Sequence, residues 1–439
     1  MPNYIRNRKR KQNKWIYGVL VVLILAGIAF AIPPVREKIL IKWDEITTRI
    51  YFMVFSPEKA VFVPGQQDEE AVKLTLTAAR PTEVNTRVAT ATPVFTATAK
   101  PTLPPIPENV VLDKVHYIDQ HGLWNYCAPS NLAMQLGFWG WPGKRTDIGD
   151  VVKPNELDKN VMPYELADYV NEKTDFQAIV RYGGNVDVLK RVVANGFPVL
   201  IEKGVYFREA LTGKTSWMGH YNIILGYDDA AGEFITHDSY EEDGKFKHFK
   251  YETIVQQWRA FDYIFLIVYP PDQWEKLAAA LGTLQDEETS IAEAQTLASE
   301  DMGLTSGEDH FYALFNRGTN LVKQQDYMGA ASVYDDAYRF YTTLPEDTRP
   351  YRMTWYQTGP YYAYYFSGRY QDLVNLTTTT LKTTNQPFLE ENYYWRAMAE
   401  VMLGQRDEAV KDVCDSLEAH PGFPPSVQLS NDMGEVSCK

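Results

Sequence analysis

Cysteine is scarce in this chain, three in 439 residues, and positive charge is in the minority, 43 Lys and Arg against 57 Asp and Glu for a formal net charge of −14. The second shortage excludes a nucleic-acid partner, because no broad basic face exists to neutralise phosphates. No glycine-rich phosphate cradle stands at a strand-to-helix junction. No His, Cys or carboxylate pair has metal-ligand spacing either, so neither a metal nor any other cofactor is expected. Long apolar runs are missing with one exception. Residues 15–32, WIYGVLVVLILAGIAFAI, are uninterrupted and uncharged over about the length that crosses a bilayer core.

What surrounds that run gives it a direction. Arg6, Arg8, Lys9, Arg10, Lys11 and Lys14 precede it, and the positive-inside rule keeps such an end in the cytoplasm. The expectation is a basic cytoplasmic tail over 1–14, a transmembrane anchor over 15–32, and an extracytoplasmic remainder. Ala29-Phe30-Ala31 offers the alternative of a cleaved signal and a secreted protein. In an exported chain an odd cysteine count leaves one thiol over. Cys414 and Cys438 stand close enough in sequence to pair, which makes Cys127 the odd one.

Residues 33–64 read as a juxtamembrane segment with mixed character. From 65 to 107 the chain is rich in Thr, Ala and Pro (TLTAARPTEVNTRVATATPVFTATAKPTLPPIP); a composition so poor in large apolar residues predicts a disordered stalk. Residues 108–272 alternate helical and strand patterns. Helices are expected at 129–139, 162–172 and 186–194, and strands at 197–202, 221–227, 233–237 and 263–268. Helices first and antiparallel strands later give an α+β domain. Beyond 272 the strand patterns stop. Three segments, NRGTNLVKQQDYMGAASVYDDAYRFY, YYAYYFSGRYQDLVNLTTTTL and YYWRAMAEVMLGQRDEAVKDVCDSLEAHPGF, share small residues between aromatics. They make 273–439 an all-α region resembling tetratricopeptide repeats.

The chemistry concentrates in DQHGLWNYCAPSNLAMQLGFWGW, residues 119–141. Pro129 suits the first turn of a helix, where its missing N–H would have had no partner. Cys127 therefore stands at or just before a helix N-terminus, whose positive dipole end favours a thiolate. Such a nucleophile needs a base, and the base an orienting group. Of the seven histidines, His220 in MGHYNIILGYDD is the best placed, expected to open a strand. Asp238 follows the next strand in FITHDSY and could lie beside it. Strand parity points His237, the chief rival, to the opposite face from Asp238. Gln120 could donate to an oxyanion together with the Cys127 backbone N–H. His116 and His121 could line the cleft; Trp124, Trp139 and Trp141 are expected chiefly in core packing.

The order Gln120, Cys127-x-Pro129 opening a helix, Gly219-His220-Tyr221 on a strand and Asp238 after the next strand resembles cysteine-peptidase family 39 and its papain-like relatives over about 115–268. Ala128 and Ser239 stand where that family usually has Gly and Pro. The resemblance implies a papain-like fold, a peptidase with Cys127 as nucleophile, His220 as base, Asp238 as orienter and Gln120 as oxyanion donor, and no cofactor. Leader removal coupled to transport is not expected, for no nucleotide-binding motif accompanies the domain. Expected partners are a peptide or protein substrate, the membrane through 15–32, and a protein held by the helical repeats. Two alternatives stand beside this reading: a cell-wall peptide amidase or transpeptidase using the same pair, and a silent papain-like interaction module.

Overall fold

The computed structural model describes residues 17–20, 33–65, 105–208 and 215–438. Of the expected anchor, 17–20 are helical and the rest lies outside the described residues. Among the described residues no helix is long and apolar enough to cross a membrane. Two compact units emerge, Met1–Pro57 with Arg208–Thr215, and Glu58–Phe207 with Ser216–Lys439. In the first, helix α1 (Pro33–Val54) begins on two prolines, which the first helical turn tolerates. It exposes Trp43, Ile46, Ile50 and Val54.

The second unit is built on a sheet of seven strands: β1 (Asn109–Val111), β2 (Gln177–Arg181), β3 (Val199–Arg208), β4 (Thr215–Asp228), β5 (Glu233–His237), β6 (Lys247–Lys250) and β7 (Phe265–Tyr269). Their order is β2-β7-β3-β4-β5-β6, with β1 also on β4. The β7 sequence, FLIVY, is apolar and buried throughout, because layers cover both sheet faces and successive side chains alternate between them. Leu266 and Val268 join Tyr221, Ile223 and Leu225 in one core. Phe265, Ile267 and Tyr269 join Ile224 and Tyr227 in the other. The first core is closed by helices α2 (Cys127–Phe138), α3 (Arg145–Val152) and α4 (Pro163–Lys173), the second by α5 (Val186–Ala194), α6 (Tyr251–Arg259) and α7 (Trp274–Leu281).

The α+β expectation for the middle of the chain holds, with differences of extent. Strands β3 and β4, neighbours in the sheet, are longer than expected, and β4 begins among polar residues such as Ser216. His220 consequently lies inside β4 and does not open it. Helices α3 and α6 and strands β1, β2 and β6 were not expected. Each is short, and α3 (RTDIGDVV) offers only Ile148, Gly149 and Val152 to the core.

From Glu287 onward the unit is helical: α8 (Glu287–Leu304), α9 (Gly307–Lys323), α10 (Tyr327–Thr343), α11 (Met353–Tyr356), α12 (Gly359–Phe366), α13 (Tyr370–Leu381), α14 (Glu390–Leu403), α15 (Arg406–Ala419) and α16 (Pro424–Asp432). The three similar segments coincide with the pairs α9/α10, α12/α13 and α14/α15. A residue at positive φ turns the chain in each: Gln325, Gly368 and Gly404. Gly318 is a close-approach position, since a Cβ there would stand 2.7 Å from the Tyr334 ring.

One core crosses residue 272. Trp217, Ala260, Phe261 and Ile264 of the sheet region are buried with Phe311, Phe315, Tyr334 and Tyr361 of the helices. Gln357 Nε2 donates to the Ala260 carbonyl at 2.7 Å and Asn316 Nδ2 to that of Arg259 at 2.7 Å. Phe62 packs edge-on against Tyr338 in the same core. Glu58–Gly65 and the chain from Pro105 onward belong to one unit. Residues 66–104 of the expected stalk lie outside the described residues.

Candidate active site

Cys127 is the first residue of α2, with Pro129 in the first turn. It is half-buried and free, whereas Cys414 and Cys438 form a disulfide. His220, 3% exposed, shares a hydrogen bond with the thiol. Its Nε2 lies 2.8 Å from Asp238 Oδ1, which leaves Nδ1 to face Cys127. Sheet register explains the meeting. Ile223 pairs with His237, so Asn222 falls opposite Asp238, and His220 stands two residues further along the same face, at diagonal-neighbour distance. The turn after β5 holds Asp238 in place through its N–H to the Gly244 carbonyl, 2.8 Å. Only glycine fits at 244, for a Cβ would sit 1.8 Å from the Asp238 carbonyl oxygen.

Electrostatics follow from these contacts. Burial by itself pushes the Cys127 thiol up. The hydrogen bond and charge of His220, with the backbone N–H groups of Tyr221 and Ala128, outweigh it and hold the thiol below its ordinary value. Burial pulls His220 down, but the charge and hydrogen bond of Asp238, then Cys127, raise it to about 9. Asp238 is pushed up by burial and held far below the usual carboxylate range by His220, with Lys203 and the Tyr240 N–H assisting. These shifts favour a thiolate beside an imidazolium, itself beside a carboxylate.

His237 faces the other way. Its Nδ1 accepts the Phe246 N–H at 3.0 Å and its Nε2 lies 3.0 Å from the Val115 carbonyl. Both nitrogens are thus engaged, and burial pulls the ring below its ordinary value. Gln120 is anchored to the stretch after β5, its N–H donating to the Ser239 carbonyl at 3.0 Å and its Oε1 accepting the Ser239 hydroxyl at 2.8 Å. That bond orients the side-chain amide and leaves Nε2 as its free end. Ser239 Oγ also accepts from Asn131 Nδ2 at 3.1 Å, and the same Nδ2 lies 2.9 Å from the Cys127 carbonyl. Gln120 is thereby tied to α2 through Ser239 and Asn131.

His121 stays exposed at the rim, paired with Asp119 and stacked on Tyr240. Trp139 is a packing residue, its Nε1 donating to the Val268 carbonyl at 2.8 Å. Sequence reasoning missed Asn131 and Glu202, and gave Tyr221 no role beyond its place beside His220. Asn131 was readable in principle, one helical turn after Cys127. Glu202 was not. It is buried on β3, bonded to Tyr221 on the neighbouring strand and raised well above the carboxylate range by burial and then by the charge of Cys127.

A thiol at a helix N-terminus, an imidazole and a carboxylate in this arrangement can carry out nucleophilic thiol chemistry. Residues 112–264 match the Peptidase_C39 like family. A solved structure described as a putative C39-like peptidase from Bacillus anthracis is also similar, at 17% identity and a TM-score of 0.31, over 37% of this chain and 98% of that one. No curated protein matches.

Proposed function

We propose that this chain is a cysteine peptidase in which Cys127, His220, Asp238 and Gln120 do the chemistry. The observation that carries the reading is the continuous hydrogen-bonded chain from Cys127 through His220 to Asp238, starting at a helix N-terminus. The Cys127 thiolate attacks the carbonyl carbon of a peptide bond. The oxyanion accepts from Gln120 Nε2 and the Cys127 N–H. His220 passes its Nδ1 proton to the leaving amine, and an acyl-thioester remains on Cys127. The neutral imidazole then takes a proton from water, hydroxide attacks the thioester, and the thiolate leaves with the imidazolium restored. Asp238 keeps its charge throughout and orients the ring.

Around this core the reading extends to a membrane-anchored enzyme. Residues 15–32 hold the bilayer, the preceding basic residues stay in the cytoplasm, and the rest faces outward. The Cys414–Cys438 disulfide supports an oxidising compartment. The helical region, read as tetratricopeptide-like repeats, holds a protein substrate or partner.

The test is the pH dependence of Cys127 alkylation by iodoacetamide on the full chain, where the other two cysteines are paired. Rapid labelling well below about pH 8.5, the pKa of a free thiol, is expected, with loss of that reactivity in His220→Ala. Slow labelling indifferent to His220 would sink the peptidase reading in favour of a silent binding module.

A further inference from the structure

Away from the thiol, Asp158, Glu390 and His420 come from three distant stretches, and their ligand-type atoms all lie within 4.8 Å of one another. That span is slightly wider than the about 4.2 Å that two ligands about 2.1 Å from a shared ion can cover. Asp158 belongs to the loop between α3 and α4, Glu390 opens α14, and His420 caps α15. Asp158 and Glu390 are 0% exposed and His420 8%. The loop is fastened to the helices by the Lys159 N–H on the Phe388 carbonyl, 3.2 Å, and by Asn155 Nδ2 on that of Glu418, 2.9 Å.

The charge does not balance. Asp158, Glu165, Glu390 and Glu391 face one another. Lys153 is the buried cation among them, its Nζ donating to the backbone carbonyls of Glu156 and Asp158; Lys159 also faces Asp158. His420 Nδ1 lies 3.1 Å from Glu390 Oε1, yet burial holds the ring below its ordinary value. Burial pushes Asp158 up to about 6 and Glu390 and Glu391 well above the carboxylate range.

A second observation comes from a residue that is not an acid. Asn160 is 5% exposed and reaches into the patch, its N–H donating to Asp158 Oδ1 at 3.1 Å and its Nδ2 to Glu391 Oε2 at 3.2 Å. Its Oδ1 has no partner, nor have Asp158 Oδ2, Glu390 Oε2 and Glu391 Oε1. The positive end of α14 accounts for acids at 390 and 391; it does not account for Asp158 and Asn160, which stand on another element. Buried oxygens without donors are costly, and a cation satisfies several together.

We propose that Asp158, Glu390 and His420, with Asn160 and Glu391 beside them, hold one divalent first-row cation, zinc or manganese, that clips the loop between α3 and α4 to the helical region. Carboxylates with an imidazole nitrogen suit these ions better than calcium or magnesium, which take oxygen donors. This reverses the expectation of no metal-ligand spacing, for the ligands meet only in the fold. The cation is structural and independent of the thiol chemistry.

The test uses the full chain in detergent, stripped with a chelator, desalted and titrated with Zn²⁺, Mn²⁺ or Ca²⁺ alone. Elemental analysis after dialysis should find about one zinc or manganese per chain, with a melting temperature raised by the ion and lowered again by chelator. Glu390→Gln should lose both the ion and the melting shift. If wild-type chain retains no ion and its melting ignores all three, the proposal is overturned and the patch is a set of protonated carboxylates. A Glu390→Gln chain that melts higher than wild type without metal response would agree with that outcome. The wild-type measurement decides by itself if the variant fails to fold.

Discussion

His220 and Asp238 are buried about as deeply as Asp158 and Glu390, but the two places handle buried charge in opposite ways. In the first, opposite charges are paired, and Asp238 Oδ1 also accepts the Tyr240 N–H. In the second, carboxylates outnumber cations and four oxygens have no partner. A low-dielectric interior magnifies both situations. It strengthens a matched chain of charges, and it makes an unmatched cluster depend on protons or a bound cation. Burial alone therefore does not distinguish the two places; the balance of partners does.

Removing the matching charge should break the comparison most. Asp238→Asn is expected to lower peptide turnover by about 10²–10⁴-fold and to return His220 from about 9 toward its ordinary 6.5. His220 is raised in the fold, so its contribution to stability is full below about 6.5 and is lost as pH rises through about 9. Asp238 is depressed, so its contribution is present above the ordinary carboxylate range and is lost only in strong acid. Melting curves across this range should show the alkaline loss in wild-type chain and a flattened loss in Asp238→Asn; identical profiles would mean that the pair is not coupled.

A smaller effect is expected at the proposed oxyanion donor. Gln120→Ala should cost about 10²–10³-fold in kcat with little change in KM, and its alkylation rate should stay near wild type because the thiolate is untouched. A matching fall in alkylation would assign Gln120 to shaping the thiol instead. The smallest change is Ser239→Ala. It removes the hydroxyl between Gln120 and Asn131 and should cost about fivefold, the equivalent of about 1 kcal/mol, in kcat and not in alkylation. Ser239→Thr, which keeps the hydroxyl, should recover part of the loss, whereas equal loss in both would point to packing.

Much of the site was legible before any fold was known, because its signals are local. Pro129 marks the start of α2 and so puts Cys127 at the dipole's positive end. Alternation along FITHDSY separates Asp238 from His237, and both go where that parity sends them. The anchor of Gln120 was not legible, since Ser239 reads simply as a departure from a family pattern until its hydroxyl is seen between Gln120 and Asn131. Legibility did not follow element length. Helix α5 and strand β5 have the expected limits, while β2 is as long as β5 and was not expected; α3 offers too few apolar residues to stand out from a loop.

The sequence by itself determined which residue types could do the chemistry, which of them open a helix or share a strand face, and where the membrane-length run and the Thr/Pro-rich stretch lie. These depend on backbone propensity and on periods of a few residues. Tertiary structure alone decided that Ile223 pairs with His237 and so brings His220 to Asp238, that Trp217 shares a core with Phe315, and that Asp158, Glu390 and His420 meet at all. Such contacts are set by strand register and by the packing of helices distant in sequence, and no local pattern carries them.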